Sequence, residues 1–270
     1  MTTRNEIAAK PVVYQIPGMD AAHIRRDIPY QTANADLVMD IYRPPDSKAA
    51  TLLPAVVFVI GYSDLGAEKI FGCKFKEMEA YVGWAKLVAA SGLIGITYVN
   101  HDPMRDLDAL VQNIRENAGT LGIDEKRIGL WSCSGNVPRA LGLLMQNDLP
   151  AIKCAALCYG YMLDLDGSNN TAEAAKNWRF ANPTAGKSIR DLPPDLPLFI
   201  ARAGRDNPQL NETLDRFVTH AVAANLPVTL ANHPTGPHAF DIMDDSDTSR
   251  EIIRQILAFL RFHLKTEPRP

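Results

Sequence analysis

Short, largely apolar runs separated by longer amphipathic stretches constrain this chain more than any other feature of it. Residues 55–60 (AVVFVI), 93–99 (LIGITYV), 152–159 (IKCAALCY) and 198–203 (LFIARA) have the length and β-branched content of strands buried on both faces. Residues 81–91, 106–121, 137–146 and 210–224 read as helices; in 106–121, Leu107, Leu110, Val111 and Ile114 make one apolar stripe. This alternation predicts an α/β protein, with a mostly parallel sheet covered by helices. Residues 36–42 (DLVMDIY) alternate and end at Arg43-Pro44-Pro45, which predicts an early antiparallel strand. Residues 127–131 and 228–231 supply further strands, and 248–265 an amphipathic terminal helix. Gly61-Tyr62-Ser63-Asp64 reads as a turn opening a loop over 61–83. Residues 163–197, rich in Asn, Asp, Pro and Gly, read as a small cap-like insertion after the sixth strand. The expectation is one domain over residues 1–270, with a frayed end at 266–270.

Charge and hydropathy narrow the partners. A net charge of −3 leaves no basic footprint for nucleic acid. No apolar stretch reaches the roughly 18 residues that a membrane span requires. The first residues, MTTRNEIAAKPVVYQIPG, hold no continuous apolar run, so a cytoplasmic location is expected. Cys73, Cys133, Cys154 and Cys158 do not form a disulfide framework in a chain of this size. Cys154 and Cys158 share one strand face, but no second pair completes a metal site, and small buried thiols are the simpler reading. No metal is expected. An exposed terminal strand or helix leaves room for a homodimer.

The segment Ile128-Gly129-Leu130-Trp131-Ser132-Cys133-Ser134-Gly135-Asn136 carries the chemistry. A strand turns abruptly into a helix here, which forces the residue at the tip into strained backbone geometry. The residues two before and two after the tip must be small so that strand and helix can approach. Around Ser134 these are Ser132, which is small, and Asn136, which is a less comfortable fit. The turn exposes the Ser134 hydroxyl and aims the Gly135 N–H, with the helix N-terminus, at a developing oxyanion. The plain alternative is a Ser-Gly pair that caps a helix. Cys133 is a weaker nucleophile candidate because it sets Trp131 where a small residue is required.

A serine nucleophile needs a base, and the base needs an orienting carboxylate. Residues 198–203 lead into Gly204-Arg205-Asp206-Asn207-Pro208, which places Asp206 at a strand's C-terminal end. The last strand leads into NHPTGPHAFD, with His233 and His238. His238, at the far end of a Gly/Pro loop, is the preferred base; His233, nearer the strand, reads as structural. Asp241, Asp244 and Asp245 compete as acids but are expected to cap the terminal helix. His101 and Asp102 sit at an active strand edge and are candidates to line the pocket, whereas His23, His220 and His263 are expected at the surface. The second oxyanion donor should come from the turn after residues 55–60, with Tyr62 N–H preferred and Gly61 as the alternative. Tyr62, Tyr161, Trp178 and Phe180 are candidate substrate-binding residues, and Phe71, Phe75 and Met78 further candidate walls, against ordinary core packing for each.

Taken together, DLVMDIYRP, VVFVIGYSD, IGLWSCSGNVPRAL, ARAGRDNPQLN and GPHAFD resemble the α/β-hydrolase superfamily, closest to its dienelactone-hydrolase-like and carboxylesterase-like branches. The resemblance covers about residues 25–265 and lies in the order of five segments. It implies an eight-stranded, mostly parallel sheet and ester hydrolysis without a cofactor. Ser134 matches the nucleophile, Asp206 the acid, His238 the base, and Gly135 with Tyr62 the oxyanion donors. A His-Gly-Gly pattern is missing, and Ser132 and Asn136 replace the glycines that usually flank the nucleophile. Serine rather than cysteine at position 134 favours general ester hydrolysis of small to medium carboxylic esters. Amides, peptides and lactones suit the same three residues, and a non-catalytic fold that binds a small molecule is the reading from a different class.

Overall fold

The computed structural model describes residues 4–31, 36–48, 51–146 and 152–265. Eight strands form one sheet: β1 (His23–Pro29), β2 (Val38–Arg43), β3 (Leu53–Phe58), β4 (Ile94–Tyr98), β5 (Ile123–Cys133), β6 (Ile152–Cys158), β7 (Leu198–Ala203) and β8 (Val228–His233). Their order across the sheet is β1-β2-β4-β3-β5-β6-β7-β8. β2 runs antiparallel to both β1 and β4, and every pair from β4 to β8 is parallel. The expected antiparallel entry strand and parallel remainder are both present. The expected frayed end at 266–270 lies outside the described residues.

The helices are α1 (Arg4–Ala8), α2 (Asp64–Phe71), α3 (Glu79–Ala90), α4 (Pro103–Glu116), α5 (Ala118–Leu121), α6 (Val137–Leu144), α7 (Asn170–Trp178), α8 (Pro208–Ala223), α9 (Phe240–Met243) and α10 (Asp247–Lys265). α3 and α10 cover one face of the sheet, whereas α4, α6 and α8 cover the other. This two-sided cover explains why β3 reads as a continuous apolar run: Ala55, Val56, Val57 and Phe58 are all fully buried. At about 1.5–3 kcal/mol for each large apolar side chain buried, such central strands hold the sheet. α10 buries Ile252, Ile253, Ile256, Leu257, Leu260 and Leu264, the stripe that its sequence period requires.

Three elements depart from the sequence expectation. The stretch 61–83 is not a loop throughout, because α2 and the start of α3 lie in it. The helix expected over 106–121 begins at Pro103, whose missing N–H suits a first helical turn, and breaks at Asn117 into α4 and α5. β5 begins at Ile123 and runs four residues longer at its start than 127–131 suggests. Between β6 and β7, segment 163–197 carries α7 and a 3-10 turn at Ile189–Asp191. Among the described residues no helix is long and apolar enough to cross a membrane.

Candidate active site

The C-terminal ends of β3, β5, β7 and β8 lie along one sheet edge, and each delivers part of one side-chain cluster. β5 is held on both sides almost to its tip, with Trp131 paired to Phe58 of β3 and Cys133 to Cys158 of β6. Ser134 follows with φ of 56°, a left-handed conformation that costs a non-glycine residue about 1–3 kcal/mol. A tight 3-10 turn (Ser134–Asn136) then feeds directly into α6. The strain falls on Ser134 and not on Cys133, whose backbone is extended with φ of −140°. Burial also pushes the Cys133 thiol up to about 12, which leaves it protonated and a poor nucleophile.

Ser134 Oγ lies 2.9 Å from His238 Nε2, and His238 Nδ1 lies 2.6 Å from Asp206 Oδ2. Asp206 is nearly buried, with 4% of its side chain exposed, whereas His238 is 43% exposed towards the cavity. The other Asp206 oxygen accepts the Asn207 N–H at 2.7 Å. Two backbone hydrogen bonds tie the acid loop to the histidine loop: Gly204 N–H to His233 O at 2.8 Å, and Arg205 N–H to Gly236 O at 2.9 Å. The relative position of Asp206 and His238 is therefore set by main chain. Behind the imidazole, the Tyr159 ring meets it edge-on at 5.2 Å, and the Tyr159 hydroxyl donates to Asp241 Oδ1 at 2.6 Å.

The other imidazole of that loop is placed elsewhere. His233 is 1% exposed, and its Nε2 lies 2.9 Å from Asp244 Oδ2 and 3.1 Å from Ser249 Oγ. Asp244 lies just before α10 and accepts the Ser246 and Ser249 hydroxyls, but the capping contact expected of it is made by Ser246, whose hydroxyl accepts the Ser249 N–H. Asp241 does not cap that helix: α9 turns it inward, where it is 3% exposed and accepts the Trp84 indole N–H at 2.7 Å. Burial raises its carboxyl above the usual range. Asp245 pairs with Arg250.

Beside the Ser134 turn, Gly135 has no room for a side chain. A Cβ there would lie 2.3 Å from the Tyr62 hydroxyl and 2.6 Å from the Phe180 ring. The Gly61 N–H is taken, because it donates to Asn136 Oδ1 at 2.7 Å. Gly61 is therefore corrected from candidate donor to supporting residue. No hydrogen bond among the described residues claims the Tyr62 N–H. Asn136 itself is 3% exposed and also donates through Nδ2 to the Tyr81 hydroxyl at 3.0 Å. Size alone made it look uncomfortable; its partners, both distant in sequence, explain its place.

A cavity of about 930 Å³ opens onto Ser134 and His238. Tyr62, Phe71, Phe75, Met78 and Trp178 line it, together with Ile7 of α1. Trp178 stands at the rim, 62% exposed. Tyr161 and Phe180 do not line the cavity; they stack on each other at 5.6 Å, and Phe180 meets Tyr62 edge-on at 5.8 Å. Phe180 thus packs on the Tyr62 ring and abuts Gly135. His101 and Asp102 also stay out of the cavity lining. Asp102 caps α4 by accepting the Met104 N–H, and the His101 N–H is held by Asp106. Sequence reasoning missed Tyr159 and Asp241 as neighbours of His238 and Tyr81 as a partner of Asn136. It also missed Ile7, because an amphipathic stretch so far upstream carries no signal of where it docks.

No family model matches the sequence, and no curated protein matches it. Solved structures do. An α/β-hydrolase enzyme from the metagenome of Lake Arreo, Spain, superposes with a TM-score of 0.70 at 16% identity, over 92% of this chain and 87% of that one. The esterase LipW from Mycobacterium marinum gives 0.68 at 18% identity, over 91% and 83%. A thermophilic esterase from the Planctomycetes species Thermogutta terrifontis, with propionate bound, gives 0.67 at 19% identity, over 94% and 98%.

Proposed function

Starting from a chain with the α/β-hydrolase fold, we propose that this protein is a serine ester hydrolase that acts through an acyl-enzyme on small to medium carboxylic esters. One observation carries the reading: Ser134, His238 and Asp206 form a continuous hydrogen-bonded line at a strained strand-to-helix turn. With its proton on Nδ1 held by Asp206, the neutral imidazole turns the Nε2 lone pair to the Ser134 hydroxyl.

As Ser134 Oγ bonds to the ester carbonyl carbon, its proton passes to His238 Nε2, and Asp206 stabilises the imidazolium that forms. The carbonyl π electrons move onto oxygen, which the Gly135 and Tyr62 N–H groups receive. Collapse breaks the bond to the leaving alcohol, and His238 returns the proton to it. Water, deprotonated by the same imidazole, then releases the acid and restores Ser134. The apolar cavity beside the serine takes the carbon skeleton of the ester, with Tyr62 and Trp178 as its aromatic contacts. The names of the structural neighbours, two of them esterases, agree with this chemistry.

The test is hydrolysis of a p-nitrophenyl ester series by the wild type and Ser134→Ala. The variant should lose activity by at least about 10³-fold for every chain length. Retention of most activity would remove Ser134 from the reaction.

A further inference from the structure

Asn136 occupies a position where the turn demands a small residue, yet both ends of its amide are committed to groups far away in the chain. A buried amide is tolerated only when it is satisfied, and here its acceptor is spent on one backbone N–H, that of Gly61. The Gly61 backbone lies so close to the Ser134 turn that a Cβ on it would sit 2.9 Å from Gly135 O and 3.0 Å from Asn136 Cα. The opposite side of Gly61 is held as well, since its carbonyl accepts the Ala181 N–H at 2.7 Å. That carbonyl and the Tyr62 N–H belong to one planar trans peptide and point in opposite directions. Fixing the Gly61 carbonyl therefore aims the Tyr62 N–H.

We propose that Asn136 is a positioning residue for oxyanion stabilisation: it grips the Gly61 N–H so that, with Ala181 on the other side, the Gly61–Tyr62 peptide presents a single aimed donor. The inference rests on the reading of Ser134 as nucleophile and Tyr62 N–H as oxyanion donor. With both ends of its amide spent on Gly61 and Tyr81, Asn136 acts through the backbone rather than on the reacting atoms: it removes the freedom of Gly61, whose lack of a Cβ would otherwise let the turn relax. The segment between β6 and β7 has a part in this, because Ala181 supplies the second hold while its neighbour Phe180 packs on the Tyr62 ring. Tyr81, the other partner of Asn136, touches the amide but not Gly61, which separates the two roles of the side chain.

The experiment compares Asn136→Ala, Asn136→Gly and Tyr81→Phe. Each is measured for kcat and KM on p-nitrophenyl butyrate and for inhibition by a trifluoromethyl ketone, which adds reversibly to the serine as a tetrahedral oxyanion. A misaimed donor should lower kcat and kcat/KM together by roughly 10- to 100-fold in both Asn136 variants. KM should stay within about 3-fold, and the inhibitor should weaken by the same factor as kcat/KM. Tyr81→Phe should stay within about 3-fold of wild type in all three. A merely structural role predicts the opposite split: lower melting temperature, equal losses in Asn136 and Tyr81 variants, and unchanged inhibitor affinity per folded molecule. That outcome overturns the proposal, as does failure of both Asn136 variants to fold while Tyr81→Phe folds. Stoichiometric fluorophosphonate labelling of Ser134 in the wild type keeps the underlying reading separate: without it, the nucleophile assignment fails first.

Discussion

Two imidazoles five residues apart on one loop have been put to opposite uses. His233 sits at the end of β8, with its ring packed against Phe240 and its Nε2 turned to Asp244 and Ser249. His238 sits past the Gly/Pro bend, half exposed, with Nδ1 on Asp206 and Nε2 on Ser134. Both have a carboxylate partner, so an acid–histidine pair is not by itself a sign of catalysis. The difference lies in what faces the second nitrogen and in solvent access. His238 has a hydroxyl in front of it and a cavity beyond, whereas His233 Nδ1 meets no hydrogen-bond partner among the described residues. One ring closes the loop, and the other is held by that closure.

The contrast breaks most sharply in activity. His238→Ala should reduce kcat by about 10⁴-fold or more with little change in melting temperature, because the ring is half exposed; His233→Ala should keep kcat per folded molecule within about 3-fold. Equal kinetic losses in the two variants would end the distinction. Asp206→Asn comes next, with an expected loss of about 10⁴-fold because the amide no longer selects the Nδ1–H form of His238. Steady-state kinetics on the same ester series reads both. In stability the order reverses. His233→Ala should cost about 2–4 kcal/mol in urea unfolding, through an emptied buried site and the loss of the imidazole's hydrogen bond to Asp244.

The smallest effect is a pH dependence. Hydrogen bonds from Ser246, Ser249 and His233 hold the Asp244 carboxyl below the usual carboxylate range. A depressed acid contributes stability that is present above its unfolded value, near 4, and is lost as pH falls through the lower folded value. The wild-type melting temperature should therefore drop on acidification below about pH 4, and Asp244→Asn should flatten that limb. Asp206→Ala, for comparison, should leave the Asp244 contribution in place.

Much of this arrangement was legible in the sequence because it rests on local pattern. β7 coincides with the apolar run LFIARA, and α4 buries the four residues of its predicted stripe. Ser134 stood out because a strand, a small-residue turn and a helix follow one another within a dozen residues. Elements with weak patterns were hidden. β1 (HIRRDIP) is an edge strand with no fully buried residue, and its two half-buried isoleucines, Ile24 and Ile28, are too few to make a readable apolar run. α2 leaves Leu65 and Ile70 exposed at the cavity, which blurs its period. The fates of Asp241 and Asn136 depend on Trp84, Tyr159, Gly61 and Tyr81. No local window brings those residues together; only the folded chain does.

The contrast between the two histidines and the role of Ser134 meet in one measurement: the rate and site of fluorophosphonate labelling, followed by intact mass and peptide mapping. Wild type should gain one adduct per chain on Ser134, His233→Ala should label at the same rate, His238→Ala should label far more slowly, and Ser134→Ala not at all. An adduct on Cys133 or another residue, or equal labelling rates in the two histidine variants, would contradict the account.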